Sequence, residues 1–97
     1  MSSFDFENED RPNISMLVEQ YENSVQANRA AFFDQDDYES IVEYYEERGA
    51  FEDALKVSET ALGQHPFSSA LLIKRAQLFF QMKQCVQALE LLDRAEL

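Results

Sequence analysis

Apolar residues recur along this chain at intervals of three and four positions, the spacing of a helix with one buried face. The first such stripe comprises Ile14, Leu17, Val18, Tyr21, Val25 and Phe32. Pro12 precedes it, and Asn13 or Ser15 can cap the helix that follows. The pattern predicts a first helix of about 16–19 residues.

Two more helices are predicted on either side of Gly49. The second helix carries Tyr38, Ile41, Val42 and Tyr45, and the acidic run from Asp34 to Asp37 supplies its N-terminal cap. It ends at Gly49, a residue suited to a left-handed C-terminal cap. The third helix runs from about Glu52 to Leu62, before Gly63 and Pro66.

The last third of the chain predicts two further helices. Ser68 or Ser69 caps the fourth, whose apolar residues are Leu72, Ala76, Phe79 and Phe80. A short turn is predicted at Lys83-Gln84, and a fifth helix then carries Val86, Ala88, Leu89, Leu92 and Ala95. The connections are short, so neighbouring helices should be antiparallel and the fold class all-α.

The two predicted helix pairs superimpose when the sequence is shifted by about 34 residues, a period typical of a helical repeat. The shift places Tyr38 on Leu72, Val42 on Ala76, Tyr45 on Phe79, Ala54-Leu55 on Ala88-Leu89 and Ala61 on Ala95. Alanine at 54 and 61 lets the second helix of a pair approach the first closely. Repeated small residues therefore predict hairpins that nest side by side.

This repeat resembles the tetratricopeptide repeat (TPR) family. The residues that carry the resemblance are Tyr38, Ile41-Val42, Tyr45, Ala54, Ala61 and Pro66. Val42 replaces the family's usual Gly, Ser58 stands where an aromatic residue is common, and Arg75 replaces an apolar residue. The resemblance implies antiparallel helical hairpins stacked as a short right-handed α-solenoid of about five helices.

The same frame divides the chain into four segments. Residues 1–12 are predicted to be a flexible acidic leader, in which Phe4 and Phe6 offer a possible internal ligand. Residues 13–33 form an N-terminal capping helix, a half-repeat with Ala27 matching Ala61. Residues 35–68 would be the first repeat, and residues 69–97 would be a second repeat truncated at its end.

The charge is strongly negative and unevenly placed. The chain has a formal net charge of −11, and residues 35–66 carry nine acidic and two basic side chains. Such a surface repels phosphate backbones and anionic headgroups, so we expect neither nucleic acid nor a membrane as a partner. Cys85 is the only cysteine, and no signal peptide or membrane span is recognisable. A cytoplasmic location is expected.

The resemblance also implies where a partner would bind. In this family the first helices of successive pairs line a concave groove that receives a peptide or a helix of another protein. The groove residues of this chain would be Asp36, Glu39, Glu43, Glu46 and Glu47 from the first pair, and Ile73, Lys74, Gln77, Phe80 and Gln81 from the second. Its acidic wall would prefer a basic or amphipathic segment, unless these residues form an ordinary solvated helix face.

The sequence offers no arrangement of residues typical of an enzyme or a metal site. His65, the only histidine, adjoins Pro66 and is predicted to be a cap or turn residue. Cys85 is predicted to be a buried thiol near the start of a helix, without a second histidine to activate it. The acidic run at 34–37 lacks the glycine and glutamate of a calcium loop. We therefore expect no catalysis, no cofactor and no metal.

Two functions remain from this reasoning. The first is a protein-binding scaffold or adaptor that holds a partner segment in its groove. The second is a structural module, because the predicted fifth helix would expose Leu89, Leu91 and Leu92 and the given sequence ends within it at Leu97. That helix would pair with a second copy as a homodimer or with further repeats of a longer array.

Overall fold

A computed structural model describes residues 13–96 of the protein and the side chains of residues 13–93. Four helices occupy this region, and no strand occurs between residues 13 and 96. They are α1 (Ile14–Gln26), α2 (Gln35–Glu47), α3 (Phe51–Gln64) and α4 (Ser69–Glu96). The predicted all-α class is confirmed. The predicted leader, with Phe4 and Phe6, lies outside the described residues.

Helix α1 begins as predicted but ends early. The side chain of Asn13 accepts a 2.8 Å hydrogen bond from the backbone N–H of Ser15, which makes Asn13 the N-cap. At the other end Asn28 has a φ of 54°, and the N–H of Arg29 bonds to the carbonyl of Ser24. This left-handed cap stops the helix after Gln26, so a helix reaching Phe32 was a wrong prediction.

Helices α2 and α3 form an antiparallel hairpin that turns at Gly49. Gly49 has a φ of 73°, and the N–H of Ala50 bonds to the carbonyl of Tyr45 to close the last turn of α2. The predicted stop at Gly49 is confirmed. Helix α3 continues through Gly63 and ends at Gln64. His65 and Pro66 follow it.

The core lies where α2 contacts all three other helices. Tyr38, Ile41 and Val42 are fully buried on α2, and Ala54, Val57 and Ala61 are fully buried on α3. Helix α1 contributes Leu17, Val18 and Tyr21 from the other side. The small side chains at 54 and 61 therefore lie inside the hairpin, as their spacing predicted.

Helix α4 buries a different face from the predicted one. Ser68 caps it, because its hydroxyl accepts a 3.2 Å hydrogen bond from the N–H of Leu71. Leu71 and Leu78 are fully buried, whereas Leu72 and Phe79 are each 52% exposed. The residues that join α4 to α2 and α3 are thus one position before those that the 34-residue shift pointed to.

The predicted turn at Lys83-Gln84 is absent, and α4 runs through it as one helix of 28 residues. Lys and Gln have high helix propensity, and residues 69–96 contain neither Gly nor Pro, so no residue breaks the helix. Consequently Ala88, the counterpart of the buried Ala54, is exposed. The second hairpin is not formed in this structure, although the first is.

Candidate protein-binding face

The residues predicted to line a groove lie on α2 and on the first half of α4, which pack side by side. Lys74 of α4 joins the two helices, because its Nζ lies 2.8 Å from Oε2 of Glu43 and 3.8 Å from Oε1 of Glu46. These two ion pairs place Glu43, Glu46 and Lys74 together on one face. We call the surface formed by the ten predicted groove residues the α2–α4 face.

The acidic residues of this face differ in their environments. Asp36, Glu43 and Glu47 are exposed, while Glu39 and Glu46 are half-buried. Glu39 accepts a 3.5 Å hydrogen bond from the side-chain amide of Gln35, one helical turn earlier. The five carboxylates thus differ in their exposure, and Lys74 neutralises part of their charge.

On the α4 side of the face, most side chains are either apolar or carry a neutral amide group. Ile73 is 57% exposed and Phe80 is 62% exposed, so two large apolar side chains contact solvent. A surface depression of about 510 Å³ lies beside Phe80. Its other lining residues are Ala76, Gln77, Gln81 and Gln84. The Oε1 atom of Gln81 is buried and has no hydrogen-bond partner among the described residues.

A second depression, of about 300 Å³, lies on the α2 side. Its lining residues are Ile14, Ser40, Glu43, Tyr44, Glu47 and Arg48. The guanidinium of Arg48 lies 3.6 Å from the centre of the Tyr44 ring, which is a cation–π contact. It places a positive charge in the same depression as the carboxylate of Glu47. The sequence did not identify Ile14 or Tyr44 as neighbours of the groove residues, because the packing of α1 on α2 decides that proximity.

The electrostatics of the face follow from the Lys74 contacts. The hydrogen bond to Glu43 raises the pKa of the Lys74 ammonium, burial opposes this change, and the charges of Glu43, Glu46 and Glu39 add to the increase. The side chain of Lys74 is 21% exposed, so water screens these ion pairs only partly. Lys74 therefore stays charged and bound to α2 at neutral pH.

A third cavity, of about 380 Å³, opens on another side of the molecule, between α1 and the α2–α3 hairpin. Its lining includes Tyr21, Glu22, Tyr45, Asp53 and Lys56. Burial raises the pKa of the Tyr45 phenol far above its ordinary value, and the hydrogen bond to Glu22 raises it further. Tyr21 also has a raised pKa, for which burial is the largest cause. Both phenols are thus neutral hydrogen-bonding groups at physiological pH.

The two residues considered for catalysis, His65 and Cys85, lie on different parts of the fold. His65 follows the last turn of α3 as its C-cap, as predicted, and its Nε2 lies 2.8 Å from the carbonyl oxygen of Phe33. Cys85 is exposed in the middle of α4, so the prediction of a buried thiol at a helix start was wrong. Because the predicted turn at 83–84 is absent, Cys85 lies neither at the start of a helix nor in a buried position.

Within the described part of the chain, no group of three His, Cys, Asp or Glu side chains is arranged to hold a metal ion. No helix in that part is both long and apolar enough to cross a membrane.

Comparison with known proteins adds no relative to this picture. The chain gives no significant match to a protein-family model, to a curated protein or to a solved structure.

Proposed function

We propose that the protein is a non-catalytic scaffold or adaptor that binds a basic or amphipathic segment of another protein on its α2–α4 face. In this proposal the hairpin of α2 and α3 stacks between α1 and α4 as a short α-solenoid of the tetratricopeptide type. The observation that carries the proposal is the pairing of exposed carboxylates on α2 with exposed Ile73 and Phe80 on the adjacent α4. A partner helix with cations along one edge and apolar residues beside them would complement both.

Charge supports this choice of partner. The net charge of −11 attracts cationic segments and repels nucleic acid and anionic lipid. Asp36 and Glu47 are exposed at the surface of the face, where a partner's lysine or arginine can reach them. The exposed thiol of Cys85 suits a reducing compartment, so we place this function in the cytoplasm.

The test is a titration of the ¹⁵N-labelled full chain with a synthetic amphipathic helix whose polar edge carries lysines. We expect amide shifts concentrated on α2 and on residues 69–81, and an affinity that falls as salt concentration rises. A peptide of the same apolar residues with glutamates replacing the lysines should bind far more weakly. Shifts spread over α1 and α3 alone would contradict the proposal.

Matched variants sharpen the test. Glu43→Gln with Glu47→Gln removes two charges from the face, whereas Glu52→Gln with Glu59→Gln removes two charges from exposed positions of α3. The first pair should weaken binding several-fold, by about 1 kcal/mol. An equal loss from both pairs would show that net charge alone attracts the peptide.

A second candidate function is self-assembly through the C-terminal half of α4. Its large apolar residues are mostly in solvent, since Val86, Leu89, Leu91 and Leu92 are 54–65% exposed. In this case two copies would pair through these residues as a homodimer, or the segment would join further repeats. Light scattering over a range of concentrations separates this function from the first, because a strict monomer excludes self-assembly.

A further inference from the structure

One side of α4 carries apolar residues at alternating steps of four and three along its C-terminal half. We call these residues the α4 seam, and they are Leu78, Met82, Cys85, Leu89 and Leu92. Steps of four and three keep every member within about 40° of one line along the helix. The seam is therefore a single straight apolar strip.

The molecule itself covers only the beginning of the seam. Leu78 is fully buried where α4 packs on α2 and α3, and Met82 is half-buried. Cys85 is exposed, Leu89 is 65% exposed and Leu92 is 61% exposed. The apolar side that attaches α4 to the hairpin thus continues for about 15 Å beyond the hairpin.

The opposite side of this uncovered part is mostly polar. Lys83, Gln84, Gln87 and Glu90 all lie more than about 110° around the axis from the seam. Leu91 is the exception, because it is 64% exposed and lies about 140° from the seam. A helix with one apolar side and one polar side is typical of a helix that pairs with another helix.

The charge of this segment favours a second copy of the chain as the partner. Residues 82–93 contain one basic residue, Lys83, and two acidic residues, Glu90 and Asp93, so they contribute −1 to the formal net charge of −11. Two copies that meet here keep their acidic helices α2 and α3 apart, which limits their mutual repulsion. A cationic partner, by contrast, finds no carboxylate within the seam.

The seam is also complementary to itself when two copies run antiparallel. With a two-fold axis at residue 87, Met82 contacts Leu92 of the second copy, and Cys85 contacts Leu89 of the second copy. Val86 and Ala88, which flank the seam, each lie beside the same residue of the second copy. All of these contacts join apolar side chains, with Cys85 acting as a small apolar residue.

We propose that two copies pair through the α4 seam as an antiparallel two-fold dimer. A parallel pair of straight helices is sterically excluded, because the first half of the second α4 would occupy the place of α2 and α3 over Leu71 and Leu78. The inference rests on the second candidate function, self-assembly, and adds the orientation and the residues in contact. Ile73 and Phe80 of the α2–α4 face lie on the other side of α4 and stay accessible.

The size of the contact sets the expected affinity. About three turns of helix from each copy bury less than the roughly 800 Å² per partner of a standard stable interface. We therefore expect a reversible dimer with a dissociation constant in the micromolar range or weaker. Sedimentation equilibrium of the full chain from about 10 μM to about 1 mM covers that range.

Two exposed leucines provide a matched pair of variants. Leu89 and Leu91 are 65% and 64% exposed on the same half of α4, but only Leu89 belongs to the seam. Leu89→Glu should raise the dissociation constant about tenfold or more, because the dimer would bury the new carboxylate against Cys85 of the second copy. Leu91→Glu adds the same charge outside the contact and should change it less than about twofold. Circular dichroism checks that both variants keep their helices.

The outcomes separate the seam from self-assembly in general. A monomer at every concentration would overturn both. A dimer that Leu91→Glu weakens and Leu89→Glu does not would leave self-assembly standing and overturn the seam. Equal weakening by both variants would also overturn the seam, because added charge alone then accounts for the effect.

A spin label at residue 69 tests the orientation. Ser69→Cys is introduced together with Cys85→Ala, and the new, exposed cysteine is labelled. The antiparallel pair separates the two labels by about 54 Å at 1.5 Å per residue, whereas a parallel pair brings them within about 20 Å. The short distance would overturn the antiparallel dimer.

The thiol of Cys85 reports on the occupant of the seam in the unmodified chain. Its rate of alkylation should fall as the protein concentration rises, because the second copy covers it. A slow rate that does not depend on concentration would show that the chain's own residues cover the seam, and it would exclude the second copy as the occupant.

Discussion

The phenol of Tyr45 donates a 2.6 Å hydrogen bond to Oε2 of Glu22, and this bond joins α2 to α1 across 23 positions of sequence. Tyr45 is 8% exposed, so its hydroxyl needs a partner that water cannot fully replace. Glu22 supplies that partner from the edge of the same cavity. Helix α1 is thereby attached to the hairpin by a charged hydrogen bond as well as by apolar contacts.

Tyr45→Phe should therefore destabilise the protein. It removes a hydrogen bond to a charged acceptor while keeping the ring, and we expect a loss of about 1–2 kcal/mol in the free energy of unfolding. Chemical denaturation measures this loss. A cycle with Glu22→Ala isolates the pair, whose coupling should reach about 1 kcal/mol. Additive effects of the two substitutions would contradict the role given to this bond.

The two glycines offer a matched pair of substitutions. Gly49→Ala should cost about 1–2 kcal/mol, because the φ of 73° strains a residue with a Cβ even though no atom lies within 4 Å of it. Gly63→Ala adds a methyl group in equally open space inside α3 and should stabilise the helix by up to about 1 kcal/mol. Thermal unfolding of both variants compares them. Similar changes of one sign in both would exclude backbone conformation as the cause.

The first hairpin could be predicted from the sequence because local signals mark its ends. Gly49 permits the turn, Pro66 follows the second helix, and Ala54 and Ala61 reveal the contact between the helices. Each signal depends on one residue and its near neighbours in the chain. The structure confirms the positions of all of them.

The wrong predictions concern the buried face of α4, the end of α1 and the turn at 83–84, where the sequence does not favour one structure over another. Leu71 and Leu72 are adjacent leucines, so periodicity alone did not decide which one contacts α2 and α3. Asn28 ends α1 by adopting a positive φ, which an asparagine tolerates but does not require. Lys83 and Gln84 are polar without breaking a helix, and polarity alone was not a reliable sign of a turn.

The candidate site was partly predictable for a similar reason. Helical spacing on α2 placed Asp36, Glu43 and Glu47 on one face, and all three are exposed there. The ion pairs of Lys74 with α2 depend on how two helices pack, and no spacing within either helix indicates them. The same holds for Ile14 of α1 beside Tyr44.

Alkaline pH should unfold the protein through its buried tyrosines. Burial raises the pKa of Tyr21, Tyr38 and Tyr45 in the folded state, relative to about 10 in the unfolded chain. Their neutral forms therefore add stability that is fully present below pH 10 and is lost as the pH rises above it. The ultraviolet absorbance of tyrosinate should increase together with the loss of helical circular dichroism. Independent ionisation of these three tyrosines near pH 10, with the helices intact, would refute this expectation.

Lys74→Gln should strengthen the binding of a lysine-bearing amphipathic peptide to the α2–α4 face. The substitution releases Glu43 and Glu46 from their ion pairs, and both carboxylates become available to the peptide's cations. We expect an affinity gain of about two- to fivefold at low salt, with a stability loss of no more than about 1 kcal/mol because the pairs are partly exposed. Isothermal titration calorimetry measures the affinity. Arg75→Gln is the matched control, since it removes the same charge one position along α4, where Arg75 faces Glu59 of α3 at 3.9 Å. If both variants gain affinity equally, the gain reflects net charge and the peptide does not contact the two glutamates.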